Sequence, residues 1–175
     1  MVTPGSRGGA PPERRHDERT VSIRATAEQV FAFVDDQLQF SAQMSTSSWM
    51  MAGSSMSTEV DADHGQRIGS HIRMSGNVLG FQLALDEVVT ERRPPVLKAR
   101  ETVGTPRLLV TGNYRMGFEL EPQGERTRLR VFIDYDLPIR HRWLGRLFGG
   151  MYARWCLTQM AEGAVRKFQR GETRA

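Results

Sequence analysis

Apolar residues along this chain recur with a period of two through the middle and of about 3.6 near the end, the pattern of a sheet followed by a helix. The clearest stretch is the last third. Tyr114, Met116, Phe118 and Leu120 alternate on one face of a strand, and Leu129, Val131, Ile133, Tyr135 and Leu137 alternate on one face of the next. Gln123-Gly124 supplies the turn between them. Pro138 ends the second strand, and helical spacing then runs from Trp143 to Phe168. An antiparallel sheet with one apolar face needs a cover, and this helix is long enough to be one.

The earlier chain reads in the same way. Arg19 to Arg24 alternates, with Val21 and Ile23 on one face, and predicts a first strand. Thr26 opens a helix carrying Val30, Phe31 and Val34, Asp35-Asp36 closes it, and a second short helix is expected over Leu38 to Met44. Strands are expected over Ser55 to Ala62, Gln66 to Ser75, Leu79 to Val89 and Val96 to Val103. Turns fall at Asp63-His64-Gly65, Gly76-Asn77 and Arg92 to Pro95. Residues 1–18 are rich in Gly, Pro and Arg and are expected to be disordered, as are residues 171–175. Residues 19–170 then form one α+β domain: a curved antiparallel meander of about six to seven strands wrapped around a long C-terminal helix, with two short helices after the first strand.

Val21-Ser-Ile-Arg-Ala-Thr-Ala-Glu-Gln-Val-Phe-Ala-Phe-Val34 leads from strand to helix through an A-x-A-x-x-V-F segment. Together with Gly69, the Gly76-Asn-Val-Leu-Gly80 stretch and the closing helix, it resembles the START-like, or SRPBCC, helix-grip superfamily. The resemblance is specifically to the polyketide cyclase/dehydrase and lipid-transport branch, and it covers residues 19–170. It implies a hydrophobic cavity between sheet and helix that takes lipids, sterols, polyketides or other apolar ligands. Some members are cyclases or aromatases and many are carriers. The branch has no universal catalytic motif to carry over, and a fold does not by itself give a function.

Composition narrows the classes. Hydrophobic residues make up 39% and charged residues 25%, as in an ordinary globular protein. The net charge of +4 is spread along the chain, with no tight basic run interleaved with aromatics and no zinc-finger spacing, so nucleic acid is not an expected partner. The first fifteen residues lack an apolar signal core, and no apolar run approaches the ~18 residues of a membrane span, which makes the cytoplasm the default compartment. The single Cys156 excludes an intrachain disulfide and reads as a small buried hydrophobe. His16, His64, His71 and His141 are scattered, and phosphate-loop, dinucleotide and metalloprotease patterns are absent, so no metal or other cofactor is expected.

The informative positions are polar residues on faces expected to point inward. Glu101 shares a strand face with Leu97, Ala99 and Val103; a carboxyl group in an apolar cavity could act as acid, base or ligand anchor. Glu87 lies on the Leu83–Leu85–Val89 face, but near the strand end, where exposure is expected. Tyr114 and Tyr135 each need a partner for the hydroxyl. Ser70 offers a further hydroxyl. Phe81 and four of the nine methionines, Met74, Met116, Met151 and Met160, fall on expected cavity or core faces, and Trp49 sits among Met44, Met50, Met51 and Met56 as a candidate pocket lip. Three functions follow. The first is binding, or carriage, of a small hydrophobic or amphipathic molecule in the cavity. The second is a polyketide cyclase- or aromatase-type enzyme using Glu101 and the tyrosines. The third is an accessory protein whose helix or basic surface contacts a membrane or a partner, and it is the least favoured.

Overall fold

The computed structural model describes residues 13–36, 38–39, 55–78, 81–108, 110–138 and 142–172. The elements in chain order are β1 (Arg14–Ile23), α1 (Ala27–Asp35), β2 (Ser55–Val60), β3 (His71–Val78), β4 (Phe81–Arg93), β5 (Leu97–Arg107), β6 (Tyr114–Gln123), β7 (Arg126–Asp136) and α2 (Arg142–Glu172). The seven strands form one antiparallel sheet in the order β1-β7-β6-β5-β4-β3-β2. Strands β2 to β7 are a meander, and β1 joins beside β7. Gly124 takes the left-handed conformation (φ +66°) that the tight β6–β7 turn requires.

Helix α2 packs along β1 and β7. Its Ala153, Leu157, Met160, Ala161 and Ala164 are buried with Leu129, Val131, Ile133 and Leu137 of the last strand and its exit. The close approach depends on small residues. A Cβ on Gly145 would lie 2.3 Å from Pro138 Cδ, and one on Gly149 would lie 3.0 Å from the Val110 carbonyl oxygen. Helix α1 is capped reciprocally: the Gln29 amide donates to Thr26 Oγ1 and the Thr26 amide donates to Gln29 Oε1. Its Phe31 meets Phe118 edge-on with centroids 5.5 Å apart, and Phe33 meets Phe168 of α2 at 6.0 Å.

Several sequence expectations shift. Strand β1 starts at Arg14, inside the stretch expected to be disordered. Its first half lacks an apolar inner face; Asp17 there accepts from the Tyr135 hydroxyl, so periodicity is blind to it. Gly76-Asn77 is no turn: both residues pair within β3, opposite Leu83 and Gln82. The strand expected from Gln66 starts only at His71, and Ile68 stands 66% exposed in the preceding turn. The second helix expected over Leu38 to Met44 lies almost wholly outside the described residues, and so does Trp49.

One ion cluster fastens α1 to the sheet. Asp35, at the end of α1, accepts from Lys98 Nζ (2.7 Å) on β5 and from Arg92 Nη2 (2.8 Å) on β4, and its backbone carbonyl also takes Lys98 Nζ at 3.0 Å. Asp35 and Lys98 are each 3% exposed. Burial pushes the Asp35 carboxyl up, but the hydrogen bonds from Arg92 and Lys98 outweigh it and hold it below its ordinary value. The cluster therefore stabilises the fold fully above the unfolded aspartate value of about 3.9, and this contribution disappears as pH falls through the lowered folded value. Asp35→Asn is expected to cost about 3–5 kcal/mol at neutral pH by leaving Lys98 buried without a counter-charge. Urea unfolding should show that deficit shrinking as both proteins are acidified below about pH 4.

Candidate functional site

On the concave face of the sheet, polar side chains gather along a line crossing β4, β5 and β6. The line exists because of backbone register. A shift between Val89 and Glu91 keeps Glu87 and Val89 on the inner face while turning Glu91 outward and Arg92 inward. On β5 the inner residues are Lys98, Arg100 and Thr102, which pair opposite Arg92, Val89 and Glu87. On β6 the inner residues are Tyr114, Met116 and Phe118.

Glu87, Arg100 and Tyr114 meet on this line. Glu87 is 0% exposed. Arg100 Nε lies 2.8 Å from Glu87 Oε2, and the Tyr114 hydroxyl donates to Glu87 Oε1. Burial, and then the Glu87 charge, push the Tyr114 hydroxyl well above the ordinary phenol value, so it stays protonated and donates. The Tyr114 amide donates to Thr102 Oγ1 at 3.0 Å, which fixes the start of β6 against β5. Arg100 Nη2 donates to Met116 Sδ at 3.3 Å, a contact with a weak acceptor.

Tyr152 of α2 lies near enough to Tyr114 to push its hydroxyl further up, and Cys156, Gln159 and Gly163 share that side of the helix by their spacing. Tyr152 stacks on Trp155 with centroids 5.9 Å apart. Burial pushes the Cys156 thiol up to about 12, so it is no thiolate at neutral pH. Gln159 Oε1 is buried and has no hydrogen-bond partner among the described residues. Gly163 is buried, yet beyond its chain neighbours and its own helix backbone no described atom lies within 4 Å of where its Cβ would be. Towards α1 the interior closes to a cavity of about 10 Å³ lined by Val34, Lys98, Arg100, Met116, Phe118, Val131 and Met160, room for one water.

The model of the polyketide cyclase/dehydrase and lipid transport family matches residues 15–170. The chain belongs to this family. Its architecture is the helix-grip fold, and similar solved structures include norcoclaurine synthase from Thalictrum flavum (TM-score 0.66, 12% identity, covering 91% of this chain and 96% of that one). Others are the protein TTHA0849 from Thermus thermophilus (0.64, 16%, 90% and 99%) and major latex-like protein 151 from Panax ginseng (0.57, 9%, 89% and 97%). At these identities the likeness is one of fold. No curated protein matches the sequence. Among the described residues no helix is long and apolar enough to cross a membrane, and no group of three or more His, Cys, Asp or Glu is placed to hold a metal ion.

The residues singled out from sequence scatter in this family member. Glu101 is not inward. Its side chain is 47% exposed on the outer face, with Oε1 3.5 Å from Arg115 Nε. The alternation of β5 is as expected, but its apolar side is the outer one. Leu97 and Ala99 form a second buried cluster there with Phe132, whose ring lies beneath the guanidinium groups of Arg115 (5.3 Å) and Arg130 (5.5 Å). Glu87, expected to be exposed, is the buried carboxylate instead, because β4 continues past it to Arg93.

Met151 is 57% exposed, on the side of α2 away from the sheet. Tyr135 is buried, but its hydroxyl goes to Asp17 Oδ2 at 3.2 Å beneath α2, tying β7 to β1. Ser70 is buried just before β3, where its backbone carbonyl accepts from the Val89 amide at 2.9 Å. Met74 is half-buried on the inner face of β3 opposite Leu85, and Phe81 opens β4, its side chain outside the described set. Met116 and Met160 are both buried at the small cavity, and Tyr114 is in the polar group. Arg100, Tyr152 and Gln159 were not singled out from sequence. The first lies on a strand face that reads as polar, and the others lie between the two faces of α2.

Arg100→Met should destabilise the protein by about 3–5 kcal/mol, since Glu87 is then buried without its cation. Adding Glu87→Leu should recover most of that loss, as measured by a double-mutant cycle in chemical denaturation.

Proposed function

We propose that the protein binds a small amphipathic molecule between the concave sheet and α2, its polar end at Arg100 and Tyr114 and its apolar body along Met74, Leu85, Met116 and Met160. The observation that carries this reading is the buried Glu87–Arg100–Tyr114 group, in which a guanidinium N–H is directed at a thioether sulfur. A guanidinium and a phenol set in an apolar surround offer charge-assisted and neutral hydrogen bonding to a carbonyl- or carboxylate-bearing ligand. The space beside Gly163 supports room for the apolar part. Few polar groups in an apolar surround is the usual make-up of such a site. The family description names both cyclisation and lipid transport, and one norcoclaurine synthase structure holds dopamine and hydroxybenzaldehyde.

Binding is favoured over turnover by the state of the polar groups. Tyr114 is held protonated, Cys156 is a thiol, and Glu87 is fixed between Tyr114 and Arg100. The second reading, a cyclase- or dehydratase-type enzyme, rests on the Tyr114–Glu87 contact, which puts a proton donor at the ligand's polar end. Glu101 has no part in either reading.

Native mass spectrometry of the purified protein should reveal a retained small molecule, and anilinonaphthalene sulfonate should bind the stripped protein. Tyr114→Phe is expected to weaken probe binding by about five- to tenfold, the worth of one hydrogen bond. Gly163→Leu should abolish binding by filling the space. Gly163→Ala should instead raise the melting temperature by roughly 1–4 °C, since it removes a helix-interior glycine at no steric cost. Probe affinity unchanged in Gly163→Leu would defeat the proposal.

A further inference from the structure

We propose that the first turns of α2 dock this protein on an anionic lipid surface. Trp143, Leu147 and Met151 recur at every fourth position and are 64%, 65% and 57% exposed; Phe148 beside them is 38% exposed. The opposite side of the same turns, at Gly145 and Gly149, already packs against Pro138 and the Val110 carbonyl. The helix is therefore apolar on two sides here, and only one of them serves the core. Four large apolar side chains grouped on an outer surface are what a freely soluble face avoids.

The charge around the stripe selects the occupant. From Arg140 to Arg154 the sequence holds four arginines and no acidic residue. The first turn of α2 has no acid, although a helix N-terminus carries partial positive charge and ordinarily attracts one. The Arg146 side chain is 61% exposed while reaching Glu13 at 3.3 Å, and Arg154 is exposed one turn beyond Met151. A tryptophan-led apolar stripe flanked by arginines matches a helix lying in a membrane interface: the apolar row enters the headgroup boundary and the guanidinium groups meet lipid phosphates. A second copy fits less well, because a two-fold contact along the stripe brings like-charged arginines together. Trp143, Leu147 and Met151 lie on the side of α2 away from Tyr152, Gln159 and Gly163, so docking and cavity binding are separable.

Co-sedimentation of the full chain with phosphatidylcholine vesicles, with and without phosphatidylglycerol, tests this. Binding is expected only with phosphatidylglycerol and should fall as salt rises. Leu147→Glu should abolish it, and Arg154→Gln should weaken it by about fivefold, the effect of one basic side chain near an anionic leaflet. Both sites are exposed, so melting temperature and anilinonaphthalene sulfonate affinity should stay at the wild-type values. The proposal is overturned by absence of binding to phosphatidylglycerol vesicles at low salt, or by binding that survives Leu147→Glu. It is equally overturned by a wild-type dimer that Leu147→Glu splits. Failure of these arms with probe binding intact rejects the docking surface alone.

Discussion

Two cations on the inner face of one central strand set the terms for the rest of the fold. Lys98 and Arg100 of β5 both point into the interior, and a buried charge is tolerated only beside an opposite one. The carboxylates come from different places: Asp35 from the end of α1 and Glu87 from the neighbouring strand. The first fixes where α1 stops and how it lies on the sheet. The second fixes the register of β4 on β5, because a slip of one residue would present Asp86 or Val88 to the wrong face and strand Arg100.

These two pairs differ in their surroundings. Lys98 has a carboxylate oxygen and a backbone carbonyl, and Asp35 has two cationic partners. That cluster is closed and structural. Arg100 has a carboxylate, but also directs an N–H at a sulfur. Tyr152 of α2 acts on the neighbouring Tyr114, and on the same side of α2 the Gln159 oxygen has no partner among the described residues. An incoming polar group improves matters where a buried polar atom lacks a partner, as the Gln159 oxygen does among the described residues.

The parts legible in the sequence were those where one face does one job. The inner faces of β6 and β7 are uniformly apolar, so their alternation gave strands, turn and covering helix together. The α1 segment was legible through Thr26 and the Val30–Phe31–Val34 set. Legibility failed where burial is two-sided. Leu97 and Ala99 mark an outer cluster roofed by arginines, so the apolar side of β5 pointed to the wrong side of the sheet and carried Glu101 with it. It failed similarly on α2, where exposed Leu147 and Met151 extend the apolar pattern around the helix and look like core. Of the interior group, Tyr114 was found from alternation. Glu87 also falls on an apolar face, but its burial depends on the length of β4, and that follows from a register shift that composition does not reveal.

Among the described residues, β1 and β2 are the outermost strands of the sheet. An unpaired edge offers a row of amides and carbonyls to any other extended chain, and folded proteins blunt that invitation with short strands and charge. Strand β2 has only six residues. Strand β1 is longer but reads Arg-Arg-His-Asp-Glu-Arg over its first half. The same charges that conceal β1 from a periodicity reading make its edge a poor template for intermolecular pairing, and so guard the open sheet against aggregation.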